Sequence, residues 1–256
     1  MNAVLKEIEY RIAYDGCPLC SSESAMLRTE KPQVRGDMTY ALKWMKCTSC
    51  EHVHTEEFYS ELGYKELFKS VISDGIFGGK LDEQRVTWSG IIERITPHVK
   101  HPGKWIDVGV GNGAFLFTAS EFGFDAIGID KREYVLDPLT KFGYSVVHAD
   151  AETYDYEGAS VVILADILEH IPYPKDLLKR IRQKLNGALF VSCPNMDSVS
   201  WKYQDKTGEN PFWEEAEHFH NFTRARLQSL LIECGFTPVS YCASVRYRAC
   251  MEIVAI

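Results

Sequence analysis

Trp105-Ile106-Asp107-Val108-Gly109-Val110-Gly111-Asn112-Gly113 is a short apolar run that ends beside a carboxylate and passes straight into alternating glycines. Such a run reads as a buried strand feeding a tight turn, where glycines let the backbone approach a ligand closely. The chain around it repeats the pattern. From His101 onward, apolar runs at Trp105–Val108, Ala126–Ile129, Ser145–Val147, Val161–Leu164 and Leu189–Ser192 alternate with amphipathic stretches. Strands alternating with helices predict an α/β fold, a doubly wound, Rossmann-like and mainly parallel sheet with helices on both faces. Two further runs, Pro238–Ala243 and Cys250–Ile256, are separated only by the link Ser244–Arg248 and are expected to form an antiparallel C-terminal hairpin.

Upstream, Cys17-Pro18-Leu19-Cys20 and Cys47-Thr48-Ser49-Cys50 form two Cys-x-x-Cys knuckles. Thiolates two residues apart converge on one ion, and two knuckles complete a tetrahedron, so Cys17, Cys20, Cys47 and Cys50 are the expected ligands of a structural Zn2+. A redox Cys-x-x-Cys needs only one pair at a helix start, whereas here two pairs stand without a helical pattern. The 26 residues between Cys20 and Cys47 suit a ribbon loop, and four sulfur ligands leave no position for a reactive water. Residues from about 12 to 56 lack helical periodicity, while Phe58, Leu62, Leu67, Phe68, Val71 and Ile72 recur at helical spacing. The expected division is a zinc ribbon over 1–56, a helical connector over 57–100 and an α/β domain over 101–256. His52 and His54 could substitute as zinc ligands but are read as surface histidines, Cys193, Cys234, Cys242 and Cys250 as small buried hydrophobes, and Asp197–Phe219 as a long irregular insertion.

With 256 residues, 45% of them hydrophobic and 12% aromatic, the chain can fill a sizeable core. A formal net charge of −8 disfavours a sequence-independent grip on nucleic acid. The one dense basic run, Lys175 to Lys184, falls on an amphipathic helix and reads as its solvated face. Lys6, Glu7, Glu9 and Arg11 stand where a signal peptide would be apolar, and no run approaches the roughly 18 apolar residues of a membrane span. A cytoplasmic protein with no membrane partner is expected. Nothing in the sequence specifies an oligomeric state.

The glycine turn alone is ambiguous, because Gly109-x-Gly111-x-x-Ala114 also fits the dinucleotide pattern of NAD and FAD enzymes. Three carboxylates narrow the reading. Asp107 stands inside the strand end, where a dinucleotide fold usually has an apolar residue, and can anchor the loop and attract an ammonium group. Asp130, ending Ile127-Gly128-Ile129-Asp130, is placed for both hydroxyls of a ribose. Asp150, ending Val146-Val147-His148-Ala149-Asp150, is placed for an adenine amino group.

With these features the chain, from Trp105 to its C-terminus, resembles the class I S-adenosylmethionine-dependent methyltransferases. Within them it is similar to a broad bacterial group related to the ubiquinone-biosynthesis type, in Asp166-Ile167-Leu168-Glu169-His170-Ile171-Pro172, in Ser192-Cys193-Pro194-Asn195 and in His218-Phe219-His220-Asn221-Phe222-Thr223. Many members carry an N-terminal four-cysteine ribbon and then a Tyr-rich helix, matched here by Tyr59 and Tyr64; some decorate nucleotide sugars or surface polysaccharides. The resemblance implies S-adenosylmethionine as cofactor, a cofactor-binding methyltransferase domain over 101–256, and a pocket formed by Asp107, Gly109, Gly111, Gly113, Asp130, Asp150, Ala151 and Ala165, with Asp166 near it.

The expected reaction moves the cofactor's sulfonium methyl to a small-molecule acceptor, an oxygen of a sugar, nucleotide-linked or surface-polysaccharide precursor. Alignment and exclusion of water supply much of such catalysis. A hydroxyl acceptor also needs a base, for which His170, His218 and His220 are the catalytic candidates, since imidazole titrates near neutral pH. His218 and His220 would share a face of an extended segment. Trp201, Tyr203, Phe212, Trp213 and Phe219 are candidates for an apolar or sugar-stacking wall, with core packing as the plain alternative. The rivals are a zinc-containing ribosomal-RNA base methyltransferase, a non-enzymatic docking protein with a relic Rossmann domain, and a nicotinamide oxidoreductase. Acidity and wide cysteine spacing disfavour the first, and the intact carboxylates disfavour the second.

Overall fold

The structure, a computed structural model, describes residues 10–35, 38–69 and 77–256. The chain divides into two compact units, each assembled from separate segments. The unit Gly75–Leu168, Lys175–Pro194 and Leu227–Ile256 is built on a seven-stranded sheet. Its strands are β1 (Lys104–Val108), β2 (Ala126–Asp130), β3 (Val146–His148), β4 (Ala159–Ala165), β5 (Ala188–Pro194), β6 (Pro238–Ala243) and β7 (Cys250–Ala255). Their spatial order is β3-β2-β1-β4-β5-β7-β6. The first five are parallel, and β7 lies antiparallel between β5 and β6.

The helices among them are α1 (Leu81–Ile95), α2 (Ala114–Glu121), α3 (Glu133–Lys141), α4 (Pro174–Lys184) and α5 (Arg224–Glu233). In α1, Trp88, Ile91, Ile92 and Ile95 recur at helical spacing and form the buried stripe. They join Phe115 and Leu116 of α2 and Leu136 and Leu139 of α3 in a core against Trp105, Val161, Ile163, Phe190 and Val254 of the sheet. All of β5 is buried, as is β4 up to Leu164, because a parallel sheet is covered on both faces.

The five expected parallel strands and the terminal hairpin are all present, with ends shifted by at most two residues. Alternation did not specify that β7 enters beside β5, in register from Leu189↔Ala255 to Pro194↔Cys250, leaving β6 at the edge. Burial explains the choice: every β7 residue is buried, whereas β6 is half-exposed along its length.

The other unit comprises Met1–Asp74, Glu169–Pro174 and Asn195–Arg226. Its four-stranded antiparallel sheet runs in the order His220–Asn221, Val53–Thr55, Lys43–Cys47, Ser24–Thr29. Two smaller ribbons pair Arg11–Ala13 with Glu57–Tyr59 and Gln33–Arg35 with Met38–Tyr40. Glu57–Tyr59, expected to open the helical connector, is therefore strand. Its partner strand holds it, with Arg11 Nη1 3.2 Å from Glu57 Oε2 and Phe58 packed 4.8 Å from the Tyr14 ring. The connector's first helix starts at Glu61 and runs to Lys69, while Val71 and Ile72, like Lys6, Glu7 and Glu9, lie outside the described residues.

Two further expectations are corrected in this unit. Asp197–Phe219 is not irregular throughout: Val199–Thr207 is a helix, capped by Ser198 Oγ accepting from Trp201 N and closed by Gly208 at φ +74°. His52 and His54 are buried, at 1% and 2% exposure, because Val53–Thr55 is an inner strand flanked by Lys43–Cys47 and His220–Asn221. Among the described residues, no helix is long and apolar enough to cross a membrane.

Candidate functional site

At the carboxyl end of β1 the chain turns through Gly109, where a φ of +72° would strain any other residue and a Cβ would stand 2.2 Å from Ile167 Cδ1, forcing that side chain to move. Gly109 N donates to Ile129 O at 2.8 Å, tying the turn to β2. Gly111 and Gly113 also have positive φ, and Gly113 stands at the start of α2, whose first N–H groups face the turn. Beneath the turn lies Asp107, 4% exposed. Burial pushes its carboxyl up to about 8, with the Arg246 guanidinium opposing the shift and the Asp130 charge adding to it.

Asp130 ends β2 and is gripped by Arg132 two residues on. The Arg132 backbone N–H and Nε donate to Oδ1 at 2.8 and 2.9 Å, and Nη2 donates to Oδ2 at 2.7 Å. Asp150 follows β3; its Oδ1 accepts from Glu152 N at 2.9 Å and its Oδ2 lies 2.6 Å from Lys131 Nζ. Register places Asp107 opposite Gly128 and Asp130 opposite His148, so these carboxylates line the same edge of three adjacent strands. Ala151 is buried beside Asp150, and its carbonyl accepts from Tyr156 Oη at 3.0 Å.

Ala165 closes β4, and Asp166 follows at φ +56°, an uncommon conformation for a non-glycine residue. Its carboxylate explains how the turn is held: Oδ1 accepts from Ser192 Oγ at 2.9 Å and Oδ2 lies 3.0 Å from Arg246 Nη1. Arg246 is the residue that sequence reasoning missed. It also donates to Ser192 Oγ at 3.2 Å and sits over Trp88, 4.6 Å from the ring centroid. No motif marks it, since its role arises only when the β6–β7 link is brought beside the end of β4.

In the other unit the four predicted cysteines converge, their sulfurs all within 4.8 Å of one another. Sγ–Sγ separations of 3.5 Å for Cys20 with Cys47 and with Cys50, and 3.7 Å for Cys17 with Cys50, match the edges of a tetrahedron with metal–sulfur bonds of about 2.3 Å. Backbone N–H groups of Leu19, Ser49 and Cys50 point at the sulfurs at 3.4 Å, the donors a thiolate needs. All four cysteines are free of disulfides. The cluster fits a zinc ion.

The three candidate histidines share this unit but not one environment. His170 Nδ1 bonds Glu217 O at 2.9 Å, and its ring meets that of His218 edge-on, centroids 4.7 Å apart. His220, fully buried, lies between His52 Nε2 at 3.0 Å and Ile171 O at 2.8 Å. A carbonyl only accepts, so His220 Nε2 carries the proton and Nδ1 accepts from His52. Burial lowers the pKa of His218 and holds that of His220 down at about 3. Of the aromatic group, Trp201, Trp213 and Phe219 are buried, with the Trp201 and Trp213 indoles both donating to Asp205, whereas Tyr203 is exposed.

A sheet of this order and polarity, with an acidic glycine turn at its carboxyl edge, is the fold of S-adenosylmethionine-dependent methyltransferases. The family model described as a methyltransferase domain matches residues 81–241, and the chain belongs to that family. No curated protein matches it. Among solved structures it is similar to a SAM dependent methyltransferase from Archaeoglobus fulgidus, at 20% identity and TM-score 0.53, over 75% of this chain and 99% of that one. It is also similar to the Burkholderia thailandensis 1,6-didemethyltoxoflavin-N1-methyltransferase with bound 1,6-didemethyltoxoflavin and S-adenosylhomocysteine, at 19% identity and TM-score 0.57, over 88% and 98%. A third is the magnesium protoporphyrin IX methyltransferase from Synechocystis PCC 6803 with bound SAH, at 14% identity and TM-score 0.56, over 76% and 94%.

Proposed function

We propose that this methyltransferase binds S-adenosylmethionine at the carboxyl edge of β1 to β4 and methylates an oxygen of a small-molecule acceptor, a sugar, nucleotide-linked or surface-polysaccharide precursor. The observation that carries the reading is the set of Asp107, Asp130 and Asp150 at three adjacent strand ends, backed by a turn whose three glycines all have positive φ. When bound, the cofactor supplies an electrophilic methyl on sulfonium. Asp107 draws the ammonium group and Arg246 the carboxylate of the amino-acid tail, opposite charges suited to a zwitterion. Asp130 meets the ribose, with Arg132 fixing its carboxylate, and Asp150 the adenine amino group, with Ala151, Ala165, Asp166, Gly111 and Gly113 completing the pocket.

His170 serves as the base for the proton of the acceptor hydroxyl, with His218, held below the ordinary imidazole range by burial, packed edge-on against it. His220, with both ring nitrogens engaged inside its unit, holds the segment that carries His218 rather than receiving a proton. Cys17, Cys20, Cys47 and Cys50 hold a structural zinc in a ribbon over 1–56, which a connector over 57–100 joins to the methyltransferase domain over 101–256. A small acceptor accords with the net charge of −8 and with the small substrate named for the Burkholderia neighbour. Calorimetry with S-adenosylmethionine, followed by assays of methyl transfer to a panel of nucleotide sugars, tests the reading. Binding with turnover on one of them is expected; absence of cofactor binding would sink it, and turnover only on ribosomal RNA would shift the acceptor class.

A further inference from the structure

We propose that Glu252 is a positioning residue for the cofactor site: its buried carboxylate fixes the Ser244 hydroxyl, and through it the β6–β7 link that presents Arg246 at the carboxyl edge of the sheet. That role rests on the reading in which Arg246 meets the cofactor's tail carboxylate.

Glu252 is the one charged residue of β7 and is fully buried. An apolar side chain would suit the interior of that strand better, because a carboxylate taken out of water is costly unless it is both paired and hydrogen-bonded. Here it is both. Its Oε2 pairs with Arg94 Nη2 of α1 and accepts from Cys242 Sγ at 3.4 Å, and its Oε1 accepts from Ser244 Oγ at 2.9 Å. Glu252 stands opposite Ser192 on β5 and Cys242 on β6, so the three side chains form a row on one face of the sheet.

The consequence lies in the hydroxyl. A hydroxyl has one proton and two lone pairs, and a carboxylate only accepts, so Glu252 takes the Ser244 proton and leaves both lone pairs to the link. The backbone N–H groups of Arg246 and Tyr247 use them, donating to Ser244 Oγ at 3.1 and 3.3 Å. Ser244 N in turn donates to Cys250 O at 3.0 Å and closes the link onto β7. With its backbone so fixed, Arg246 reaches Ser192 Oγ at 3.2 Å and Asp166 Oδ2 at 3.0 Å while lying 4.6 Å from the centroid of the Trp88 ring. Helix α1 braces both ends, with Trp88 against Arg246 and Arg94 against Glu252. A guanidinium held in this way loses little further freedom when it meets a carboxylate.

The test is calorimetry on the full chain with S-adenosylmethionine and with 5′-methylthioadenosine, which lacks the amino-acid tail. Ser244→Ala, a change in the half-buried link, should weaken binding of S-adenosylmethionine by about threefold to tenfold and leave 5′-methylthioadenosine unaffected. Glu252→Gln, whose amide can compete for the lone pairs of the hydroxyl, should do the same; should either variant melt too low for titration, the other carries the test. Ser244→Thr keeps the hydroxyl and should bind as the wild type does. In an Arg246→Ala background the effect of Ser244→Ala should vanish, because it acts through that guanidinium. Unchanged affinity in Ser244→Ala, beside a selective loss in Arg246→Ala, overturns the positioning role and leaves the tail contact standing. Equal losses for both ligands in Ser244→Ala, or an undiminished effect without Arg246, overturn it too, since they reduce the hydroxyl to a part of the fold. An Arg246→Ala variant that binds S-adenosylmethionine as tightly as the wild type strikes the tail contact itself, and the positioning role falls with it.

Discussion

Binding of S-adenosylmethionine should expel a proton from Asp107. Burial pushes this carboxyl up to about 8, so at pH 7 it is about nine-tenths neutral in the empty protein. An ammonium and a sulfonium placed beside it reverse the balance and draw it into the ionised form. The cofactor's own amino group, ordinarily near 8, takes up only about 0.1 proton at pH 7. Net release should therefore approach about 0.8 proton per site. Calorimetry in buffers of different ionisation enthalpy measures it, because the observed enthalpy varies with buffer enthalpy in proportion to the protons released. Asp107→Asn should bring the slope close to zero, and raising the pH above 8 should shrink it in the wild type. The same shift has a sign in stability. A carboxyl raised above its unfolded value binds more protons when folded, so the empty protein loses stability as pH rises from the unfolded value of 3.8 towards 8. A flat buffer dependence at pH 7, or one that survives in Asp107→Asn, refutes a neutral Asp107.

Arg246→Ala should raise the dissociation constant for S-adenosylmethionine by roughly tenfold or more, since a charge-assisted bond contributes about 1.5–3 kcal/mol. Binding of 5′-methylthioadenosine, which lacks the amino-acid tail, should be unchanged; equal losses for both ligands would count against a tail contact. Gly109→Ala forces a Cβ to 2.2 Å from Ile167 Cδ1 at a φ of +72°, and should lower the melting temperature by an amount equivalent to roughly 1–3 kcal/mol. Adding Ile167→Ala should recover only part of that loss, because the backbone strain remains; full recovery would assign everything to the contact. His220→Ala removes a fully buried ring that bonds both His52 and Ile171 O, and should destabilise by roughly 2–4 kcal/mol without changing cofactor affinity. His170→Ala, by contrast, should slow methyl transfer by about tenfold or more at near-normal stability and cofactor affinity; wild-type turnover would remove that ring from the chemistry.

The sheet was legible because its signals are local. Each of β1 to β5 contains a short apolar run, β1, β2, β4 and β5 are followed by helices, and Asp107, Asp130 and Asp150 fall at or just past the ends of such runs, so their common edge follows from parallel register alone. Arg246 was not legible, since a lone arginine in a hairpin link carries no pattern until β7 has inserted beside β5. The Cys-x-x-Cys pairs announced their own convergence, but the burial of His52 and His54 did not announce itself. It depends on a strand contributed by His220–Asn221, in register with His54 and Val53 across most of the chain. Local propensity has no access to a pairing of that span.

That distant pairing also decides how the histidines can act. If the insertion after β5 were a free loop, His218 and His220 would be mobile and interchangeable as proton acceptors. Instead His220–Asn221 completes the sheet that includes Lys43–Cys47, and Cys47 is one of the four converging cysteines. Trp44 Nε1 donates to Trp213 O at 2.9 Å, and Thr55 N to Phe219 O at 2.9 Å, fastening the same segment twice more. The two histidines are thereby separated in kind. His220 is locked between His52 and a carbonyl, while His218 is set edge-on against His170, its Nδ1 buried and without a hydrogen-bond partner among the described residues. Alternation in one extended segment would put both rings on the same face, but the strand begins only at His220, and His218 N turns back to Glu215 O, so the two rings are set apart. The sheet that carries Cys47 is thereby fastened to the segment that carries His218, and a change at the cysteines reaches that histidine through backbone pairing.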